Sequence, residues 1–278
     1  MFACAHKISG TPGLGRRGAC ARLGLMSSSR TQTILITGAS SGLGAEMARQ
    51  FAAKGYDLAL CARRLDRLEV LRAEIAAAEP SRRVEIRTLD VNDDEQVFEV
   101  FRAFRADFGT IDRVVINAGL GKGAPIGTGG HAANKQTAMT NFVAALIQSE
   151  AAMEIFRAQN AGHLVMISSM SAMRGLPKSM ATYAATKAGV AHLAEGLRNE
   201  LHGKPIAVSV LYPGYIASEM NESVAAEQPL MVSTEKGVRA MVDAIEKRKA
   251  SACVPALPWA PLSVVMRHAP LPVFKRLM

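Results

Sequence analysis

From residue 33 to about residue 255, short apolar runs of strand type alternate with longer stretches of helical period, and nothing else in the sequence restricts the fold as strongly. The strand-type runs fall at 33–37, 57–62, 83–89, 113–117, 163–168, 206–211 and 252–255. Helical stretches lie near 43–54, 65–78, 93–108, 134–158, 181–202 and 234–248. Runs such as Ile34-Leu35-Ile36 and Leu164-Val165-Met166-Ile167 are apolar on both faces, which suits strands covered by helices on each side. The alternation predicts one doubly wound α/β domain, a parallel sheet of about seven strands with right-handed crossovers and helices on both faces. At 278 residues and 49% hydrophobic the chain has material for such a core.

The ends read differently from the body. Residues 1–30 carry Lys7, Arg16, Arg17, Arg22 and Arg30 and no acid, and 251–278 carry Arg267, Lys275 and Arg276 and no acid. The body is left with 25 basic and 24 acidic residues, so the net charge of +9 is no nucleic-acid footprint. Glycines and Pro12 break any amphipathic targeting helix in 1–30, which reads as a flexible leader or as extra sequence ahead of a start at Met26. The domain proper is expected over 31–255. Residues 256–278 form an apolar, basic, proline-rich tail that reads as a lid or subunit contact; docking on a membrane surface is the less favoured alternative. The prolines argue against a long helix there. Cys4, Cys20, Cys61 and Cys253 have no metal-ligand spacing, and none of His131, His163, His192, His202 and His268 does; the histidines read as surface or capping residues and no metal is expected. Sparse cysteines fit a reducing compartment, and a cytoplasmic location is expected. No window of 18 apolar residues suggests a membrane span.

The first strand runs into Thr37-Gly38-Ala39-Ser40-Ser41-Gly42-Leu43-Gly44 and then a helix, a glycine-rich turn that lets a pyrophosphate approach the backbone at a helix N-terminus. After the second strand, where an NAD enzyme usually has an acid for the ribose 2′-hydroxyl, stand Ala62, Arg63 and Arg64. The Arg63 guanidinium, with Arg64 as a second candidate, suits a 2′-phosphate, which points to NADP(H) over NAD(H). Asp90-Val91 ends the third strand and is placed for an adenine amino group. Tyr183 and Lys187 sit four apart in a helical stretch, on one face, where the ammonium is expected to lower the phenol pKa and make Tyr183 a general acid/base. Met166, Met170, Met173 and Met180 lie near that site, as pocket lining or as core.

Taken together these motifs resemble the short-chain dehydrogenases/reductases of the single-domain, Rossmann-type class, over residues 31–255: TGASSGLG at 37–44, LDV at 89–91, NAG at 117–119, Asn141, ISS at 167–169, YAATK at 183–187, and Pro213-Gly214. The resemblance implies Tyr183 as catalytic acid/base and Lys187 as the group that binds the nicotinamide ribose and depresses the tyrosine pKa. It implies Ser169 as the hydroxyl that polarises the carbonyl, and Asn141 as the holder of a relay water. It places Gly38, Ser40, Ser41, Gly42, Leu43, Gly44, Asn117, Ala118, Gly119, Pro213, Gly214, Ile216 and Ser218 around the cofactor. Three departures stand out. The family's usual serine position, 13 before the tyrosine, is Met170, leaving Ser169 and, as fallback, Ser171. Ile116 replaces the first asparagine of the family's NNAG. Ser41 occupies a loop position that is often basic in NADP-type members. The implied activity is NADP(H)-linked interconversion of a carbonyl and an alcohol on a small, apolar or bulky substrate, contacted from 121–133, 170–180 and 217–232. A homodimer or homotetramer is also implied, with helices 134–158 and 181–202 at its interface. A retired nucleotide-binding regulator and a membrane-surface reductase are the alternatives.

Overall fold

Seven strands pair in parallel in the order β3-β2-β1-β4-β5-β6-β7 among the described residues. They are β1 (Thr33–Thr37), β2 (Asp57–Ala62), β3 (Val84–Thr88), β4 (Arg113–Ile116), β5 (Gly162–Ile167), β6 (Ile206–Pro213) and β7 (Ser251–Val254). The computed structural model describes residues 30–219 and 230–277, so the leader reading of 1–30, Arg30 apart, and much of the 217–232 loop lie outside the described residues. Between the strands run α1 (Gly42–Ala53), α2 (Leu65–Ala78), α3 (Asp94–Phe108), α4 (His131–Ala138), α5 (Ala144–Gln159), α6 (Met180–Glu200) and α7 (Thr234–Glu246).

Alternation along each strand splits the core into two layers. On β1, Ile34 and Ile36 face one side and join Met47 and Phe51 of α1, Leu68 and Ile75 of α2, and Val238 and Met241 of α7. Leu35 faces the other side, with Phe101 and Phe104 of α3, Phe156 of α5 and Val190 of α6. Every residue of β1, β4 and β5 is buried, so a charged side chain is tolerated there only with partners. Local signals set the boundaries. Asp93 caps α3 by accepting from the Gln96 backbone N–H at 3.0 Å, Ser233 caps α7 through the Lys236 N–H, and Asn160 ends α5 at φ 51°.

The helix expected at 134–158 is longer and not uniform: α4 and α5 are joined by a π turn, Met139–Val143, that contains Asn141. Such single π turns widen a helix locally and recur at functional sites. The tail forms two short helices, α8 (Ala256–His268) and α9 (Leu271–Leu277), with Pro261 inside α8 and Pro270 between them.

His163 corrects an expectation. It is neither at the surface nor a cap but fully buried on β5. Arg113 Nε donates to its Nδ1 at 3.1 Å, so Nε2 carries the proton and donates to Ser209 Oγ at 2.8 Å. Arg113 also pairs with Glu246 at 2.8 Å, and the Tyr56 hydroxyl donates to the same carboxylate. This chain of polar groups satisfies a guanidinium that is only 5% exposed in the amino half of the sheet. Burial, with Arg113 and Arg248 nearby, lowers the His163 pKa to about 3. Below about pH 6.5 the unfolded imidazole binds a proton that the folded one refuses, so folding stability falls as pH drops from that point towards 3. In urea unfolding at pH 6, 5 and 4, His163→Gln is expected to flatten this decline by up to ~1.4 kcal/mol per pH unit relative to the unsubstituted chain.

Candidate active site

The site lies at the carboxyl ends of the strands, where the strand order reverses between β1 and β4. Thr37 closes β1 with its side chain buried, and its Oγ1 accepts from the Asn117 and Ala118 backbone N–H groups at 3.1 and 3.2 Å. Asn117 Nδ2 returns bonds to Thr37 O and Gly38 O at 3.0 and 3.3 Å. The turn after β1 is thus clamped to the end of β4. Gly38 adopts φ +66°, and a Cβ on Gly44 would come within 2.3 Å of Gly38 O and 2.8 Å of Asn117 Nδ2. Glycine at both positions leaves a bare backbone concavity, and Ser40, Ser41, Gly42 and Leu43 carry it into the first turn of α1.

Beyond β2 the two arginines separate. Arg63 is exposed, whereas Arg64 turns onto the glycine loop, with Nη2 2.6 Å from Ser41 Oγ and Nε 3.3 Å from Ser40 Oγ. Arg64 also meets Glu219 at 3.2 Å, and Arg67, one turn along α2, pairs with the other oxygen of that carboxylate. After β3, Asp90 Oδ1 accepts from the backbone and side-chain N–H groups of Asn92 at 3.0 Å, and Thr140 Oγ1 donates to Asn92 Oδ1 at 3.1 Å. Val91 is buried beside them.

On the other side of the reversal, α6 presents Tyr183 and Lys187. Ser169, two residues past the end of β5, accepts from the Ser171 backbone N–H at 3.1 Å, which leaves its hydroxyl proton uncommitted by that bond. Of the two candidate serines, Ser169 uses its side-chain oxygen to accept from the backbone of Ser171. Met170 points into the core at 4% exposure, with Met166 and Met173; Met180 alone of the four methionines is exposed. Lys187 Nζ is buried, donates to Ile167 O at 2.9 Å and lies 5.9 Å from the Tyr183 ring centre. Ser168 Oγ donates to Lys187 O, fixing the helix against β5.

The pKa expectation is corrected here. Tyr183 is not acidified by its neighbour: burial raises its pKa, and the Ser169 hydrogen bond offsets only part of the rise. Burial also lowers Lys187 to about 8, because an ammonium stripped of water is as costly as a phenolate. Asn141 faces Gly119 from the π turn. Its amide is committed to Leu120, accepting from N–H and donating to C=O at 2.8 Å each, so the side chain clamps the loop after β4.

Past β6, Gly214 lies against the Trp259 indole, where a Cβ would meet ring carbon at 2.0 Å. Ile216 is buried against Gly237 and bridges Val232, and Ser218 abuts the glycine loop at Gly42. The segment between Ser169 and Tyr183 is covered by the tail: Arg174 donates to the carbonyls of Met266 and Ala269, Arg267 Nε reaches Met173 Sδ, and Phe274 packs on Leu176 and Ala184. Among the described residues no cluster of His, Cys, Asp or Glu could hold a metal, and no helix is long and apolar enough to cross a membrane.

A sequence model of the family described as short chain dehydrogenase matches residues 32–229. The chain belongs to the short-chain dehydrogenase/reductase family. It is 54% identical over 235 residues to an uncharacterized oxidoreductase of Mycobacterium tuberculosis, covering 84% of this chain and 92% of the relative. Among solved structures it is similar to levodione reductase, with a TM-score of 0.75 at 25% identity over 83% of this chain and 99% of that one. It is also similar to a short-chain dehydrogenase from Sphingobium yanoikuyae in complex with NADPH, with a TM-score of 0.75 at 26% identity over 89% and 95% of the two chains.

Reading by motif passed over three residues that the geometry brings in: Thr37 as the anchor of the turn, and Arg67 and Glu219 beside Arg64. Arg67 follows Arg64 by three positions in a helix, a spacing that was visible; the reach of Glu219 across to α2 had no sequence signal. Gly44→Ala is expected to destabilise the fold by about 1–3 kcal/mol in urea unfolding, since the added methyl meets backbone. Gly196→Ala, a helical glycine with nothing within 4 Å, is expected to stabilise it by about 0.5–1 kcal/mol.

Proposed function

We propose that this member of the family is an NADP(H)-dependent reductase of a carbonyl compound, with Tyr183 as the proton donor. The observation that carries the reading is Tyr183 one helical turn from a buried Lys187, whose Nζ lies 5.9 Å from the phenol ring centre, beside a side-chain-free cradle. The residues present fit a dinucleotide. Gly38 and Gly44 leave backbone bare where a pyrophosphate needs close approach, the N-terminus of α1 faces it, and Arg64 stands over Ser40 and Ser41, where the ribose 2′ position would lie. Asp90 and Val91 flank the adenine end, Ala118 and Gly119 line the middle, and Gly214, Ile216 and Ser218 close the nicotinamide end. When bound, the cofactor supplies the hydride.

The chain's own residues handle the proton and the charge. Because burial holds Tyr183 above its ordinary pKa, the phenol is protonated at neutral pH, the form needed to give a proton to a carbonyl oxygen. Ser169 supplies a second donor to that oxygen as negative charge develops, an effect worth roughly 3–4 kcal/mol of barrier where such donors are removed elsewhere. After the transfer, a phenolate at residue 183 is stabilised by the Lys187 ammonium, whose carbonyl contact to Ile167 holds it in place. Lys187 thus offsets part of the cost that burial imposes on the anion. Asn141 keeps the loop over Lys187 in register. The exposed Met180 and the exposed Leu257, Val264 and Leu271 of the tail helices are apolar, which supports an apolar or bulky carbonyl substrate.

Tyr183→Phe is expected to lower kcat for a ketone or aldehyde found in an NADPH-oxidation screen by about 10²–10⁴-fold with cofactor affinity retained; near-intact turnover rejects the assignment. Arg64→Asp is expected to raise the Kd for NADPH by about 10–100-fold and to leave that for NADH within a few fold, whereas Arg63→Asp has the smaller effect. Equal losses for both nucleotides reject the 2′-phosphate reading.

A further inference from the structure

We infer that Glu219 sets the strength of 2′-phosphate recognition in this protein, as an internal carboxylate that competes for the guanidinium groups of Arg64 and Arg67. This rests on the NADP(H) reading above and adds a specificity-determining residue to it. Glu219 is the last described residue before 220–229 and follows Ser218, which touches the glycine loop. Its Oε2 accepts from Arg64 Nη1 and Nη2 at 3.3 and 3.2 Å, and its Oε1 accepts from Arg67 Nη1. Ser41 accepts from Arg64 Nη2 at 2.6 Å, which ties this cluster to the glycine loop. Two guanidinium groups thus converge on one acceptor-only anion at the mouth of the glycine loop, donors of the kind that a phosphate monoester requires.

Competition follows from the chemistry of the two anions. Arg64, Arg67 and Glu219 are 41–52% exposed at their side chains, so their ion pairs are screened by water and exchange at little cost. A phosphate monoester carries close to two negative charges near neutral pH and three acceptor oxygens, against one charge and two oxygens for a carboxylate. It therefore displaces Glu219 from the arginines. A dinucleotide with a free 2′-hydroxyl makes no such demand and leaves Glu219 where it is. The carboxylate accordingly lowers the affinity for NADP(H) and leaves that for NAD(H) nearly unchanged, which moderates the preference that Arg64 creates. Arg67 is the second guanidinium of the phosphate site beside Arg64.

The test is titration of the purified chain with NADP⁺, NAD⁺, adenosine 2′-monophosphate and adenosine 5′-monophosphate by calorimetry, for the unsubstituted protein, Glu219→Gln and Glu219→Asp. Glu219→Gln is expected to tighten NADP⁺ and adenosine 2′-monophosphate by about 3–10-fold while NAD⁺ and the 5′-monophosphate change less than about twofold. Glu219→Asp, which keeps the charge on a shorter stem, is expected to fall between. Arg67→Gln is expected to weaken the two 2′-phosphates alone. Weaker binding of both dinucleotides in Glu219→Gln makes Glu219 a structural strut and overturns the inference. Weaker NAD⁺ binding alone makes it a ribose-hydroxyl ligand and overturns it too, as does an unchanged affinity for the 2′-phosphates. Failure of the NADP(H) reading has a separate signature: an unsubstituted protein that holds NAD⁺ as tightly as NADP⁺ and an Arg64→Asp variant that loses both equally.

Discussion

The clamp between Thr37 and Asn117 holds the site together. Two backbone N–H groups at the end of β4 are satisfied by one threonine hydroxyl, and one asparagine amide satisfies two carbonyls at the end of β1. Neighbouring strands of a doubly wound sheet diverge at this point, because their connections leave towards opposite faces. The gap would otherwise expose unpaired backbone in the middle of the molecule. Closing it with side chains instead of a further ladder keeps the cleft open above while the floor stays fixed. The glycine turn, the loop after β4 and, through Gly119 and Asn141, the surroundings of Lys187 all take their positions from this contact.

Much of the architecture was readable because its causes are local. Strand runs apolar on both faces have one stable use, in a sheet covered twice, and the two buried layers follow from the alternation of Leu35 against Ile34 and Ile36. The expected positions of β1 and β2 match the observed ones, and β6 runs two residues past its expected end because Tyr212 and Pro213 pair with Cys253 and Val254 of β7. The π turn was not readable, since one extra residue per turn leaves the hydrophobic period almost unchanged. Nor was the fate of His163, whose neighbours in the sequence are simply apolar while Arg113 and Ser209 come from other strands.

At the site, residue types were legible and their electrostatics were not. The spacing of Tyr183 and Lys187 predicts that they share a face, and they do. Spacing says nothing of how much water each group loses, and that loss decides the direction in which each pKa moves. Nor does spacing reveal the short helix Met170–Met173, which sends Met170 inward and holds Ser169 by the Ser171 N–H. For the arginine pair, adjacency in the chain concealed that consecutive residues at the start of a helix point in different directions. Only Arg64 faces back over the turn.

Trp259 and Phe274 stand outside the motif-bearing region, yet Trp259 packs on Gly214 and Tyr215 after β6 and Phe274 packs on Leu176 and Ala184 between the serine and α6. The two tail helices thereby brace two loops of the body from outside, through side chains that no motif fixes. Substitutions confined to α8 and α9 would loosen or tighten those loops while every strand residue stayed the same.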